Sequence, residues 1–156
     1  MYNEISATRH TGFCRNCTER MKTMNIAIMA HDNKKELMVQ FCIAYCGILS
    51  EHSICATATT GRLVAEATGL PISMYLSAAQ GGSQQIKSRI AYNEIDLVLF
   101  FWDSSSTDDD KEVVAISRAC DQHSIPFASN VATAEVLIQG LKRGDLGWRD
   151  IVNPKK

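Results

Sequence analysis

No run of apolar residues in this chain approaches the length of a membrane span, so a soluble protein is expected. Charge of neither sign dominates. Sixteen Lys and Arg against 17 Asp and Glu leave a formal net charge of −1, which offers no electrostatic reason to expect nucleic acid or an anionic membrane as partner. The N-terminal end lacks the apolar core of a signal peptide, and the six cysteines are therefore expected as reduced thiols in a cytoplasm rather than as a disulfide framework. A second CxxC is also missing. Cys14-Arg15-Asn16-Cys17, with His10 nearby, is half of a zinc-site pattern, and a structural zinc takes four ligands. Nor does the pair follow a strand and open a helix, as thioredoxin-like redox sites do. No metal is expected, and no internal repeat or low-complexity segment breaks the chain.

What is present is 156 residues, 46% hydrophobic and 21% charged, the size of one compact domain able to bury a sizeable core. Residues 1–23 are polar, rich in Thr, Arg and Asn, and without periodicity; they read as an N-terminal extension to a domain over 24–154. From Met24 onward short apolar runs alternate with amphipathic stretches, the pattern of a parallel sheet covered by helices. Strands are expected at Asn25 to Ala30, Ile54 to Thr57, Ile72 to Leu76, Asp96 to Trp102 and Pro126 to Ser129. Between the first two, Leu37, Met38, Phe41, Cys42, Tyr45, Ile48 and Leu49 recur at helical spacing. Further helices are expected at about Gly61 to Thr68, Ser83 to Tyr92, Glu112 to His123 and Thr133 to Lys142, with Gly69, Gly140 and Gly144 as stop signals. Cys42, Cys46, Cys55 and Cys120 read as small core hydrophobes.

In an open α/β sheet, ligands bind beyond the carboxyl ends of the strands. Each strand here delivers polar or glycine-containing sequence to that edge: His31-Asp32 with Lys35, Thr57 to Gly61, Ser77 to Gln85, Asp103, and Asn130 to Ala134. Thr59-Thr60-Gly61 offers hydroxyls and successive backbone N–H groups at a helix start, which suits a phosphate that Lys35 would neutralise. The plainer reading is that Thr59 or Thr60 caps the helix. Asp32 is open to the same two readings, cap or site acid. Asp103 follows the apolar run Leu97 to Trp102, and hydrophobic walls there would raise its pKa and suit it to proton transfer. Asp108-Asp109-Asp110 reads as an acidic helix start. Together these elements point to a small anionic ligand.

The stretches Met24 to Asp32, Ala56-Thr57-Ala58-Thr59-Thr60-Gly61, Gly81-Gly82-Ser83-Gln84-Gln85, Asp96 to Asp103 and Ser129 to Ala134, in that order, resemble methylglyoxal synthases over about residues 24 to 154. The tail from Gly140 to Arg149 looks like clostridial-type members. The resemblance implies a three-layer αβα sandwich on a five-stranded parallel sheet with flavodoxin-type winding, and a homohexamer. It also implies a lyase reaction, elimination of phosphate from dihydroxyacetone phosphate to give methylglyoxal, a bypass of glycolysis that needs no cofactor and no metal. By position, Lys35, Thr57, Thr59, Thr60, Ser77, Ala78 and Gly82 match phosphate- and substrate-binding places, while His31, Asp32 and Asp103 match active-site residues.

Where the family pattern is G-G-D-Q-Q and its aspartate is the general base, this chain has Ser83. A serine hydroxyl without assistance does not take a proton from carbon near neutral pH, and loss of a positioned base costs about 10²- to 10⁴-fold. The loop after Asp103 also lacks the Asp-Pro and the carbonyl-polarising histidine of the family, with Asp109 near the histidine's place and Glu112 at a second aspartate's. Ala58 and Ala78 stand where the family has glycine, each adding a methyl where backbone would approach the ligand. The expectation is a family member that binds dihydroxyacetone phosphate, a similar phosphate ester or inorganic phosphate with weak or absent synthase activity. The alternatives are a fully active synthase using a loop carboxylate (Asp103, Asp109 or Glu112), and a non-catalytic regulatory paralogue.

Overall fold

The computed structural model describes residues 23–105 and 110–152, so Cys14, Cys17, His10 and Asp109 lie outside the described residues. Five strands, β1 (Asn25–Ala30), β2 (Ser53–Ala56), β3 (Ile72–Met74), β4 (Leu97–Phe101) and β5 (Phe127–Ala128), pair in parallel. Their order is β3-β2-β1-β4-β5. The helices are α1 (Lys35–Ala44), α2 (Cys46–Leu49), α3 (Ala58–Thr68), α4 (Gly82–Ala91), α5 (Asp110–Gln122), α6 (Val131–Arg143) and α7 (Arg149–Val152).

Alternation along the strands builds a core on each face of the sheet. Leu97, Leu99 and Phe101 of β4 join Ile26 and Ile28 of β1 under Met38 of α1, Val64 of α3 and Ile138 of α6. Val98 and Phe100, with Ala27 and Met29, face Ile86 and Ile90 of α4 and Ile116 of α5. Both faces being covered explains why β4 is buried at all five positions. The result is the expected three-layer αβα sandwich. Its winding differs from the expected flavodoxin type: β3 lies outside β2, giving the order 3-2-1-4-5 in place of 2-1-3-4-5. Both orders are compatible with the same succession of strands and helices, and only pairing distinguishes them.

Other departures are local. Tyr45 (φ −109°, ψ 22°) divides the single expected helix between β1 and β2 into α1 and α2. Gly69 and Gly144 end α3 and α6 in the left-handed conformation as expected, but Gly140 lies buried inside α6 and stops nothing. Cys42, Cys55 and Cys120 are buried, and burial pushes the thiols of Cys42 and Cys120 up to about 12, whereas Cys46 is only half-buried.

At the amino ends of the strands, Arg149 is 2% exposed. Its guanidinium donates to Asp96 Oδ1 (2.7 Å), Asn93 Oδ1 (3.1 Å) and the carbonyls of Ile95, His123 and Ser124. Asp96 Oδ2 in turn accepts from the amide of Asn25 (2.8 Å). A C-terminal residue thus fastens the starts of β1 and β4 together, opposite the edge where the ligand-binding motifs gather.

Candidate functional site

Helices α1 and α3 cover one face while the chain steps from β1 out to β3; α4 and α5 cover the other once it returns to β4. The direction of winding reverses between β1 and β4, and a crevice opens beyond the carboxyl ends of strands at such a point. A cavity of about 430 Å³ occupies it. Of the expected site residues, His31, Asp32, Lys35, Thr57, Thr59, Ser77, Ala78 and Glu112 form its wall. Met29 and Phe100, from neighbouring strand ends, add apolar surface that was not anticipated. The signal was present: both belong to the parity that faces α4 and α5, one residue or less from the strand ends.

Helix α3 begins three residues earlier than periodicity suggested, because Ala58, Thr59 and Thr60 carry no apolar pattern. Thr57 is therefore its N-cap, with no capping bond from its side chain, and neither Thr59 nor Thr60 takes that role. The hydroxyl of Thr57 and that of Thr59 are left to the cavity, beside an N-terminal turn whose dipole favours an anion. Lys35 Nζ donates to Asp32 Oδ1 and to Ala30 O (3.3 Å), which holds its charge at the cavity wall. The hydrogen bond from Lys35, then its charge, keeps the Asp32 carboxyl below the usual range. Asp32 is consequently a counter-ion to Lys35 and not a helix cap.

His31 Nδ1 accepts the amide of Asp103 (3.1 Å), and Phe100 packs edge-on to the ring at 5.5 Å. In the neutral imidazole the proton then resides on Nε2. His31 Nε2 and Thr60 Oγ1 are the two buried side-chain polar atoms without a hydrogen-bond partner among the described residues. Buried polar atoms of folded proteins nearly always have partners, and the orphan on the cavity wall, His31 Nε2, calls for a ligand, whereas Thr60 lies outside the wall.

The glycine pair is architectural. Gly81 (φ +102°) takes a left-handed conformation that ends the turn Ala78–Gln80 and starts α4. Gly82 is buried, and its amide donates to Ser77 O (2.9 Å), so that donor is already committed and unavailable to a phosphate. What Gly82 does is hold Ser77 and Ala78 in the wall.

Asp103 departs most from expectation. Instead of being raised by apolar walls, its carboxyl is held down at about 2, first by the hydroxyl of Ser105 (2.6 Å), then by Asn33 Nδ2 (2.9 Å) and the amide of Ser105 (3.0 Å). Its folded pKa lies below its unfolded one, so its contribution to loop order is present above about pH 4 and is lost as pH falls toward 2. It therefore does not titrate near neutrality: phosphate affinity of Asp103→Asn, measured from about pH 5 to 9, should run parallel to that of the unaltered chain. Asn130, the expected polar contribution after β5, is a helix cap whose Oδ1 accepts from Thr133 N (3.0 Å).

Ser83, in the first turn of α4, is 8% exposed and outside the wall, and its hydroxyl donates to Glu112 Oε1. Glu112, in the first turn of α5, is the wall residue that this bond positions.

A family model described as an MGS-like domain matches residues 38–129. The methylglyoxal synthase of Caldicellulosiruptor saccharolyticus is 59% identical over 133 residues, 85% of this chain and 94% of that one. That of Oceanobacillus iheyensis is 47% identical over 134 residues, 85% and 96% of the two chains. The crystal structure of methylglyoxal synthase from Elizabethkingia anophelis superposes with a TM-score of 0.71 at 38% identity, covering 74% of this chain and 77% of that one. In sequence and in fold, this chain belongs to the methylglyoxal synthase family.

Proposed function

We propose that the cavity binds dihydroxyacetone phosphate, or a phosphate ester of similar size, and that the chain converts it to methylglyoxal and phosphate more slowly than family members with an aspartate at position 83. The observation that carries the reading is convergence at the winding reversal: Lys35, the uncapped start of α3 with Thr57 and Thr59, and the orphaned Nε2 of His31. A dianion satisfies all of these at once, through charge, helix dipole and donated hydrogen bonds. The slow turnover follows from Ser83, which supplies a hydroxyl where a carboxylate would have to accept a proton. A cytoplasmic homohexamer belongs to the same proposal.

Inorganic phosphate or phosphoglycolate at millimolar concentration should raise the thermal midpoint, because a ligand that binds only the folded state stabilises it. Lys35→Met should weaken phosphate binding by about 10- to 100-fold, the loss of one charge-assisted hydrogen bond. Calorimetric titration reads this directly. No midpoint shift and no heat with the unaltered chain would sink the binding reading, whatever the turnover.

A further inference from the structure

We infer that Glu112 is the group that takes the proton from carbon in this chain, with Ser83 as the residue that positions it. Two carboxylates reach the cavity wall among the described residues, those of Asp32 and Glu112. Asp32 is committed to Lys35, and Asp103, just outside, has both oxygens engaged by Asn33 and Ser105. Glu112 differs from both. Ser83 engages its Oε1, while Oε2 has no partner among the described residues. A carboxylate anchored by one oxygen and open at the other is oriented for proton abstraction without being neutralised by a cation. Ser83 is nearly buried on α4, which packs against Glu112's own helix α5, so the bond joins two packed helices across the cavity's edge.

The inference rests on the reading of the cavity as a phosphate-ester site, and its chemistry balances there. Glu112 takes a proton from the hydroxymethyl carbon, and the C–H electron pair becomes the C=C of an enediolate as the carbonyl π pair moves onto its oxygen. The hydroxymethyl O–H then passes its proton to that oxygen as its own C=O forms. The double bond then shifts by one carbon, and the C–O bond to phosphate breaks, its pair leaving with phosphate. Protonated Glu112 returns its proton to the departing phosphate, and the released enol tautomerises to methylglyoxal. No oxidant, reductant or metal enters the balance.

The test is steady-state turnover of dihydroxyacetone phosphate by the full chain, with hydrogen exchange at the hydroxymethyl carbon followed by NMR in heavy water. Glu112→Gln should lower both rates by about 10²- to 10⁴-fold. It should leave inorganic phosphate binding unchanged or tighter, since an anion beside an anionic ligand has been removed. Glu112→Asp should recover part of the rate. Ser83→Ala should lower kcat by about tenfold at unchanged KM and unchanged phosphate affinity, a split that loss of packing alone would not produce. Turnover of Glu112→Gln within tenfold of the unaltered chain overturns the inference. So does an unaltered chain that binds phosphate yet shows neither turnover nor exchange, an outcome that leaves the binding reading intact. Absence of phosphate binding defeats that reading instead.

Discussion

Gly82→Ala should be among the most damaging single-methyl changes available to this chain. A Cβ on Gly82 collides with the carbonyl oxygen of Leu76 and lies 2.9 Å from that residue's carbonyl carbon and 3.0 Å from Ser77 O. All three are backbone atoms, so no side-chain rotation relieves the contact. The same carbonyl of Leu76 accepts from Ala58 N (3.3 Å), and Ser77 O accepts from Gly82 N (2.9 Å), so the atoms that must move tie α3, the turn before α4 and α4 itself together. Overpacking of a well-packed site costs about 1–3 kcal/mol, and rigid backbone on one side puts this case at the upper end or beyond. Displacing Ser77 and Ala78 also opens the cavity wall, so affinity for phosphate should fall by at least about tenfold, the effect of roughly 1.4 kcal/mol. Urea titration together with phosphate calorimetry checks both parts. A variant with wild-type stability and affinity would show that the turn yields more easily than its bonding suggests. Gly81→Ala offers a contrast, because nothing lies within 4 Å of a Cβ there and its penalty comes from the positive φ alone.

Arg149→Leu should lower stability by about 3–5 kcal/mol, because removing one partner of a buried ion pair takes the countercharge from the other. Both side chains of the pair are 2% exposed, so water does not screen the loss. The guanidinium also satisfies the carbonyls of Ile95, His123 and Ser124, which the substitution strips of those bonds. In a domain of this size the thermal midpoint should drop by on the order of 10 °C. Adding Asp96→Asn should recover part of the loss, since the buried charge that lost its ion pair is then gone, and the double variant therefore separates the ion pair from the carbonyl bonds. Phosphate affinity of whatever folds should be retained, because the clasp lies at the opposite end of the sheet from the cavity. A midpoint lowered by no more than 2 °C would contradict the view that this clasp holds β1 and β4 in place.

The two variants mark the boundary between what local sequence specifies and what packing specifies. Strand β1 was legible to the residue, since Asn25 to Ala30 is an apolar run closed by His31-Asp32. Helices α3, α4, α5 and α6 were legible in position but each begins one to three residues early, because first turns are built from small and polar residues without apolar periodicity. For Thr59 and Thr60 that shift is chemically important. It moves the N-cap to Thr57 and leaves Thr59 on the cavity wall, where a cap is the plainer reading of the sequence.

Apolar alternation and the succession of polar strand ends by themselves determined that the chain is α/β, that its sheet is parallel, and which residues gather at one edge. Those properties follow from periodicity and from the rule that parallel strands present their carboxyl ends together, and neither needs long-range detail. Tertiary structure alone decided the strand order, the clasp of Arg149 on Asp96 and the bond from Ser83 to Glu112. Each depends on which groups lie within about 3 Å of one another, a distance over which hydrogen bonds form, though their residues are separated by tens of positions in the chain. Ser83 shows the division most plainly. The sequence shows a hydroxyl where the family has a carboxylate, and only the packing of α4 against α5 brings a carboxylate back beside it.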